Sequence, residues 1–302
     1  MRAYEIQGAG GIDALAISER FEPDPGPGQV KVKIHASSIN YRDLLMIEDP
    51  LSRGLELPRI PNSDAAGEIV AIGSGVNSVK VGDRVVGCFF QNWKSGVITA
   101  DGMAGALGGA LDGVLSEYVL LEEAGVVKVP DHLSFGEAAT LPCAALTAWH
   151  ALVERGRIKA GDTVLLLGTG GVSIFGLQFC ALHGVRTIIT SSSDEKLERA
   201  KTLGAWATIN YLKSPDWQKE VQILTDGSGV DHVLEVGGAG TLERSIESTR
   251  IGGNIYLIGV LSQGSVNPTS LMRRSLNLHG IYVGSQSMFE NMNRAIFAAT
   301  LK

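Results

Sequence analysis

The first part of the chain, up to about Pro130, contains short stretches in which hydrophobic and polar residues alternate. Between residues 29 and 34, for example, Val30, Val32 and Ile34 alternate with lysines. A period of two is typical of a strand with one buried face. Similar strands, separated by turns rich in Gly and Pro, are predicted at 66–72, 84–89 and 116–121. The pattern predicts an all-β domain over residues 1–130.

Beyond Pro130, apolar runs alternate with segments of helical period. This order of strand, helix and strand is typical of a parallel sheet covered by helices. The strands are predicted at 164–167, 187–190, 207–210, 232–236, 254–258 and 276–283, and the helices between them at 172–183, 194–203, 217–225 and 242–249. Six such strands match an α/β fold with a doubly wound parallel sheet over residues 131–285.

A glycine motif follows the apolar run 163–167 and precedes a helical pattern. Gly168 permits a tight turn, and Gly170 lets the backbone approach a pyrophosphate. The amides of Gly171 and Val172 open the helix, where phosphates are attracted. Ser173 stands where the motif usually has Gly or Ala. This context predicts a dinucleotide site, and the alternative is a glycine-rich turn without a ligand.

The residue at the end of the next strand, about 20 positions after the first glycine, indicates which dinucleotide binds. An acidic side chain there would bind the ribose of NAD. No carboxylate stands there, and the hydroxyls of Ser191, Ser192 and Ser193 with the ammonium of Lys196 are suited to a 2′-phosphate. The alternative is that the serines only cap the next helix. We therefore expect NADP(H) to be preferred, with NAD(H) as the second choice.

Composition narrows the classes of partner. The net charge of −6 and the pI of about 5.6 argue against nucleic-acid binding, which needs clustered Lys and Arg. No apolar run approaches the ~18 residues of a membrane span, and no signal peptide is evident, so we expect a cytoplasmic protein with no membrane partner. Three widely spaced cysteines indicate a reducing compartment and no structural zinc.

Three motifs in a fixed order carry a family resemblance: 81–85 (Val-Gly-Asp-Arg-Val), 140–149 (Thr-Leu-Pro-Cys-Ala-Ala-Leu-Thr-Ala-Trp) and then the glycine turn. Over its whole length the chain resembles the medium-chain dehydrogenase/reductase superfamily, in its zinc-independent quinone oxidoreductase-like and alcohol dehydrogenase-like branch. The resemblance implies a GroES-like β-barrel catalytic domain at 1–130 and a Rossmann coenzyme domain at 131–285, with the active site in the cleft between them.

The resemblance also makes predictions about the carboxyl-terminal segment and about the oligomeric state. Residues 286–302 would begin a segment that returns to the catalytic domain, and a capping box at Ser287 and Glu290 predicts that it is helical. Because family members usually continue further, the chain is expected to be short at this end. A homodimer is implied, in which the edge strand 276–283 would pair between copies.

Zinc-using members place a Cys, then a Gly-His-Glu, then a later Cys or Asp around the catalytic metal, and add a lobe with four Cys. This chain has residues 40–43 (Asn-Tyr-Arg-Asp) at the first place, 62–64 (Asn-Ser-Asp) at the second and Cys143 at the third, and residues 91–113 contain no Cys. A catalytic zinc needs about three protein ligands. We therefore predict that there is no zinc, and that Cys143 is a small buried side chain.

Without a metal, hydrogen-bond donors must stabilise the oxygen on which charge develops during hydride transfer. The resemblance places such donors at Asn40 and Tyr41, and Asp43 is the third catalytic candidate. The alternatives are an Asx turn for Asn40, a core aromatic for Tyr41, and an ion pair between Arg42 and Asp43.

The resemblance assigns further coenzyme contacts near the nicotinamide to Thr147, Val236, Gly237, Gly238, Ile258, Gly259 and Val260. The leading hypothesis is a zinc-independent, NADP(H)-preferring oxidoreductase whose substrate is a quinone or an α,β-unsaturated carbonyl. The alternatives are an alcohol dehydrogenase or aldehyde reductase on the same scaffold, and a coenzyme-binding protein with little turnover.

Overall fold

The computed structural model describes residues 1–301. Backbone contacts divide the chain into two compact units, one formed by Met1–Leu146 with the carboxyl-terminal segment from Val283, the other by Thr147–Tyr282. No helix among the described residues combines the length and the apolar character that crossing a membrane requires.

The elements follow in chain order. The strands are β1 Arg2–Ile6, β2 Leu15–Glu19, β3 Gln29–Ser38, β4 Asp64–Ile72, β5 Arg84–Gly87, β6 Tyr118–Glu122, β7 Val126–Lys128, β8 Thr163–Leu166, β9 Arg186–Ser191, β10 Ala207–Asn210, β11 Val230–Glu235, β12 Thr249–Leu257 and β13 Asn277–Gly280. The helices are α1 Tyr41–Glu48, α2 Ala100–Ala104, α3 Phe135–Ala138, α4 Leu146–Trp149, α5 Gly171–Leu182, α6 Asp194–Thr202, α7 Trp217–Leu224, α8 Ala239–Ser248, α9 Pro268–Arg273 and α10 Gln286–Ala299. Turns of π-helix at Leu141–Ala145 and His150–Arg155 flank α4.

The first unit is built on a five-stranded antiparallel sheet in the order β6-β3-β4-β5-β7, beside the antiparallel pair β1 and β2. Its core contains Val30 and Val32, as the alternation predicts. The alternation fails at Lys31, which is only 9% exposed. Its ammonium is accommodated because Glu22 accepts a hydrogen bond from Nζ at 2.8 Å.

The second unit contains a six-stranded parallel sheet in the order β10-β9-β8-β11-β12-β13. The predicted doubly wound fold is therefore confirmed. Continuous apolar runs form the strands because helices cover the sheet, and the four residues of β8 are all buried. The strand order reverses between β8 and β11, and ligands bind at the carboxyl ends of the strands at such a point.

Helix α10 belongs to the first unit and packs on β7. Asn293 Nδ2 donates to the carbonyl of Lys128 at 3.0 Å, and Phe289, Met292 and Ile296 form its buried face. The helix predicted there is confirmed, but the capping residue is Ser285 rather than Ser287, since Ser285 Oγ accepts from the amide of Met288.

The glycine-rich stretch 102–109 begins within the short helix α2, which is capped by Thr99, whose Oγ1 accepts from Gly102 N at 3.1 Å. A β-bridge between Phe90 and Ala106 then fixes the residues that follow.

Candidate functional site

The turn between β8 and α5 has the geometry of a phosphate site. Gly168 has a φ of +70°, which favours glycine, and Gly170 is the N-cap of α5. A Cβ built at either glycine would meet no atom within 4 Å, so space is open beside the backbone. The first turn of the 12-residue α5 leaves its N–H groups without intrahelical acceptors. These residues fit the pyrophosphate of a dinucleotide.

The serine in the third motif position is accommodated by a hydrogen bond. Ser173 is 1% exposed, and its Oγ donates to the carbonyl of Leu167 at 2.6 Å. Close packing of helix on sheet occurs one turn later, at Gly176, where a Cβ would lie 3.0 Å from Leu234 and 3.1 Å from Leu166. Sequence reasoning missed Gly176, although a glycine in the middle of an apolar helix is a signal of close packing.

The four residues predicted to receive a 2′-phosphate do not have equivalent environments. Ser191 is buried, and its Oγ is paired with Thr169 Oγ1 at 3.0 Å. Ser193 caps α6 by accepting from Lys196 N. The hydroxyl of Ser192 and the ammonium of Lys196 are exposed. The capping interpretation therefore applies to Ser193, while Ser192 and Lys196 are accessible to solvent.

The residues predicted near the nicotinamide form two turns, 236–238 after β11 and 258–260 after β12. The turns touch backbone to backbone, because a Cβ on Gly259 would lie 2.3 Å from the carbonyl carbon of Val236. Since β11 is parallel to β8 and adjacent to it, the turn 236–238 lies at the same edge of the sheet as the phosphate turn. Thr147, at the start of α4, is 3% exposed and belongs to the same unit.

The catalytic candidates lie in the first unit, where β3 leads into α1. Asn40 is the N-cap of α1, and its buried amide Nδ2 makes no hydrogen bond of normal geometry to a described residue, although the side chain lowers the pKa of the nearby Asp64 carboxyl. Tyr41 is 51% exposed, so it is not a core aromatic. Asp43 is buried, accepts from Asn40 N at 2.8 Å and pairs with Arg42 at 3.1 Å. Burial raises the pKa of Asp43 despite the charge of Arg42.

A buried carboxyl, Asp64, lies behind these residues and was not singled out from the sequence. It is fully buried at the start of β4, and it accepts from Ser63 Oγ at 2.6 Å and from Cys143 N at 2.9 Å. Burial raises the pKa of Asp64 to about 7, and the charge of Asp43 acts in the same direction. The segments 62–64 and 141–145 are thus brought together by hydrogen bonds to a carboxyl group.

Among the described residues, side chains that could bind a metal ion do not cluster around Cys143. Within residues 1–301 no three His, Cys, Asp or Glu side chains are arranged to hold a metal ion. Burial raises the pKa of the Cys143 thiol well above its usual value, and Asp64 and Asp43 raise it further. Without a bound metal, Cys143 is therefore a thiol rather than a thiolate.

Comparison with family models identifies both parts of the chain. The model of the alcohol dehydrogenase GroES-like domain matches residues 26–131, and the model of zinc-binding dehydrogenases matches residues 171–298. A zinc-type alcohol dehydrogenase-like protein of Schizosaccharomyces pombe is 46% identical over 297 residues, which cover 95% of this chain and 86% of that protein.

Solved structures have the same architecture. An NAD-dependent alcohol dehydrogenase superposes with a TM-score of 0.90 at 34% identity, covering 100% of this chain and 90% of that one. A quinone oxidoreductase of Escherichia coli, solved in complex with NADPH, superposes with a TM-score of 0.84 at 25% identity, covering 99% and 87%. The chain belongs to the medium-chain dehydrogenase/reductase superfamily of NAD(P)-binding oxidoreductases.

Proposed function

We propose that the chain is a zinc-independent, NADP(H)-preferring reductase of quinones or α,β-unsaturated carbonyls. The observation that carries the proposal is the buried amide Nδ2 of Asn40, which interacts with the Asp64 carboxyl but makes no hydrogen bond of normal geometry, and which is followed in the chain by the exposed Tyr41. An unpaired buried donor is costly unless a ligand accepts from it. A carbonyl or quinone oxygen is such an acceptor.

The coenzyme, when bound, supplies a hydride and its two electrons, and the chain must supply the proton and hold the acceptor. Asn40 Nδ2 would donate to the substrate oxygen as negative charge develops on it. The Tyr41 hydroxyl would donate a second hydrogen bond and deliver the proton, which it regains from solvent because it is exposed. Asp43, ion-paired with Arg42, would hold the turn through its hydrogen bond with Asn40 N.

The phosphate turn would hold the pyrophosphate through the amides of Gly170, Gly171 and Val172. Ser192 and Lys196 would bind the 2′-phosphate, since both are exposed and the ammonium of Lys196 forms no ion pair among the described residues. Ser191 and Ser193 would support this segment through their own hydrogen bonds. Replacement Lys196→Ala should lower the kcat/KM for NADPH about tenfold and leave that for NADH unchanged.

A second candidate, an alcohol dehydrogenase or aldehyde reductase, is supported by the names of similar proteins, one of them an NAD-dependent alcohol dehydrogenase at 34% identity. Both candidates use the same coenzyme chemistry, and they differ in the group that accepts the hydride. Consumption of NADPH with a quinone, an enone and an aldehyde at equal concentrations separates them.

The role of Tyr41 is tested by Tyr41→Phe, which removes only the hydroxyl. We expect kcat to fall by about 10- to 100-fold with little change in coenzyme affinity. Tyr4→Phe is the matched control, because Tyr4 is 43% exposed in β1 and has no assigned role. An unchanged kcat in Tyr41→Phe would remove Tyr41 as the proton donor.

We also propose that two copies associate through β13, the outer strand of the parallel sheet. Within the described chain β13 pairs only with β12, so its other edge offers unpaired backbone groups. Light scattering should report a dimer, and Leu278→Pro, which removes an amide from this strand, should give a monomer. A monomeric wild-type chain would contradict this assembly.

A further inference from the structure

A carboxylate with no assigned role is buried at the end of β11. Glu235 is fully buried, and its Oε1 accepts from Gly237 N at 2.8 Å, Gly238 N at 3.1 Å and Thr241 Oγ1 at 2.6 Å. Its Oε2 accepts from Ser245 Oγ. No basic side chain in residues 1–301 forms an ion pair with it, so hydrogen bonds alone compensate the buried carboxylate.

The two glycine amides that face Glu235 form an anion-binding arrangement. Gly238 has a φ of +89°, and its amide and that of Gly237 point at the same carboxylate oxygen. Successive N–H groups turned this way make a concave site for an anion. Here the anion is the chain's own side chain, so these amides are not available to a phosphate.

The main chain of the same residue fixes the neighbouring turn. The carbonyl of Glu235 accepts from Ile258 N and Gly259 N, both at 2.9 Å. Ser262 adds a bridge, since its Oγ donates to the carbonyl of Gly237 at 3.1 Å and accepts from Gly240 N at 2.8 Å. The turns 236–238 and 258–260 therefore take their positions from residue 235.

We propose that Glu235 is a positioning residue for the coenzyme: as an internal anion it fixes the two turns against which the nicotinamide end of NAD(P)H binds. The inference rests on the proposed function, which assigns these turns to the coenzyme. Glu235 does not touch the coenzyme and acts through the backbone of Gly237, Gly238 and Gly259.

The test compares Glu235→Gln with Val233→Ala. Glutamine keeps the volume of the side chain but removes the charge that orients the glycine amides, whereas Val233 is a fully buried core residue of the same strand. In Glu235→Gln the NADPH Kd should rise about tenfold, and the Gly237 and Gly238 amides should exchange hydrogen at least about tenfold faster without coenzyme. Val233→Ala should lose as much thermal stability yet keep its Kd within about twofold.

A second pair of variants, with smaller changes, keeps the proposal testable if Glu235→Gln does not fold. Thr241→Val removes one donor to the carboxylate, and Thr241→Ser restores it, so the Kd should rise about threefold in the first and return in the second. If the Kd rises in proportion to the loss of thermal stability in both the Glu235 and the Val233 variant, the positioning role is overturned. The proposed function would then remain intact. Failure of the wild-type chain to bind either coenzyme would overturn both, even if the glycine amides were protected.

Discussion

Two glycine turns lie at the carboxyl edge of the same parallel sheet, one after β8 and one after β11, and they use their amides in opposite ways. The turn 168–171 leaves the first amides of α5 without acceptors and has open space beside Gly170. The turn 236–238 directs its amides at Glu235. The first turn is ready for an external anion, and the second already contains an internal one.

The difference shows that glycine content alone does not identify a phosphate site. At Gly168 and Gly170 of the first turn a Cβ would meet nothing within 4 Å, so glycine at these positions leaves room for the approach of a ligand. Beside the second turn, a Cβ on Gly259 of the adjacent turn 258–260 would lie 2.4 Å from the carbonyl oxygen of Val236, so glycine at 259 serves the approach of two backbone segments. Substitution of Gly170 should therefore weaken coenzyme binding, whereas substitution of Gly259 should reduce the stability of the fold.

The largest effect is expected for Gly259→Ala. The new methyl group would overlap the backbone of Val236 and also lie 2.5 Å from Gly238 N, and backbone cannot rotate away as a flexible side chain can. We expect a loss of about 4 kcal/mol or more in the free energy of unfolding, measured in urea. A loss below about 1 kcal/mol would show that the two turns are not packed as described.

The second effect concerns Asp64, a buried carboxyl with fewer donors than Glu235. Because burial raises the pKa of Asp64 in the folded state to about 7 from its ordinary 3.8, the folded state keeps a proton that the unfolded state loses. Stability contributed by this group is complete below pH 4 and is lost as the pH rises to about 7. The unfolding free energy of wild type minus that of Asp64→Asn should fall by up to about 4 kcal/mol across this range. A constant difference would contradict the raised pKa.

The third effect separates binding from folding in the open turn. Gly170→Ala adds a methyl group that meets no protein atom, at an ordinary φ of −80°, so stability should change by less than about 0.5 kcal/mol. The NADPH Kd should rise about 100-fold, or about 2.7 kcal/mol, because the methyl group occupies the path of the phosphates. Gly136→Ala in α3, which is also free of close contacts, is the control. Equal affinities in the two variants would place the phosphates elsewhere.

The smallest effect is expected for Ser173→Ala, which removes the hydrogen bond to the carbonyl of Leu167. Both groups lie where the helix meets the sheet, so unfolding should become easier by about 1 kcal/mol. Coenzyme affinity should stay within about twofold, since the hydroxyl faces the strand. A large change in Kd with unchanged stability would mean that Ser173 serves the ligand directly.

The strands of the second unit and the glycine turn after β8 could be predicted from the sequence because each depends on residues adjacent in the chain. Asp64 could not be recognised, since its partner Cys143 lies 79 residues away and nothing local marks the contact. Glu235 is a different case. Its donors Gly237, Thr241 and Ser245 follow within ten residues, and the last two lie on the face of α8 that turns back to the strand. A polar residue at the end of an apolar strand was therefore a signal that the sequence carried.

The predicted alternation failed at Lys31 for a similar reason. The pattern places a residue on a face of the strand, but whether a charge is tolerated there depends on Glu22, which comes from a loop. Hydrophobic periodicity indicates which face of a strand a residue occupies. It does not indicate ion pairs between segments that are distant in the sequence, because these form only when the chain folds.

The most direct test of the account is a calorimetric titration of the intact chain with NADPH, carried out in parallel on Gly170→Ala. We expect a saturable heat with one site per chain in the wild type, and a loss of about 100-fold in affinity in the variant. No heat from either NADPH or NADH with folded wild-type protein would contradict the coenzyme site, and with it the proposed reductase.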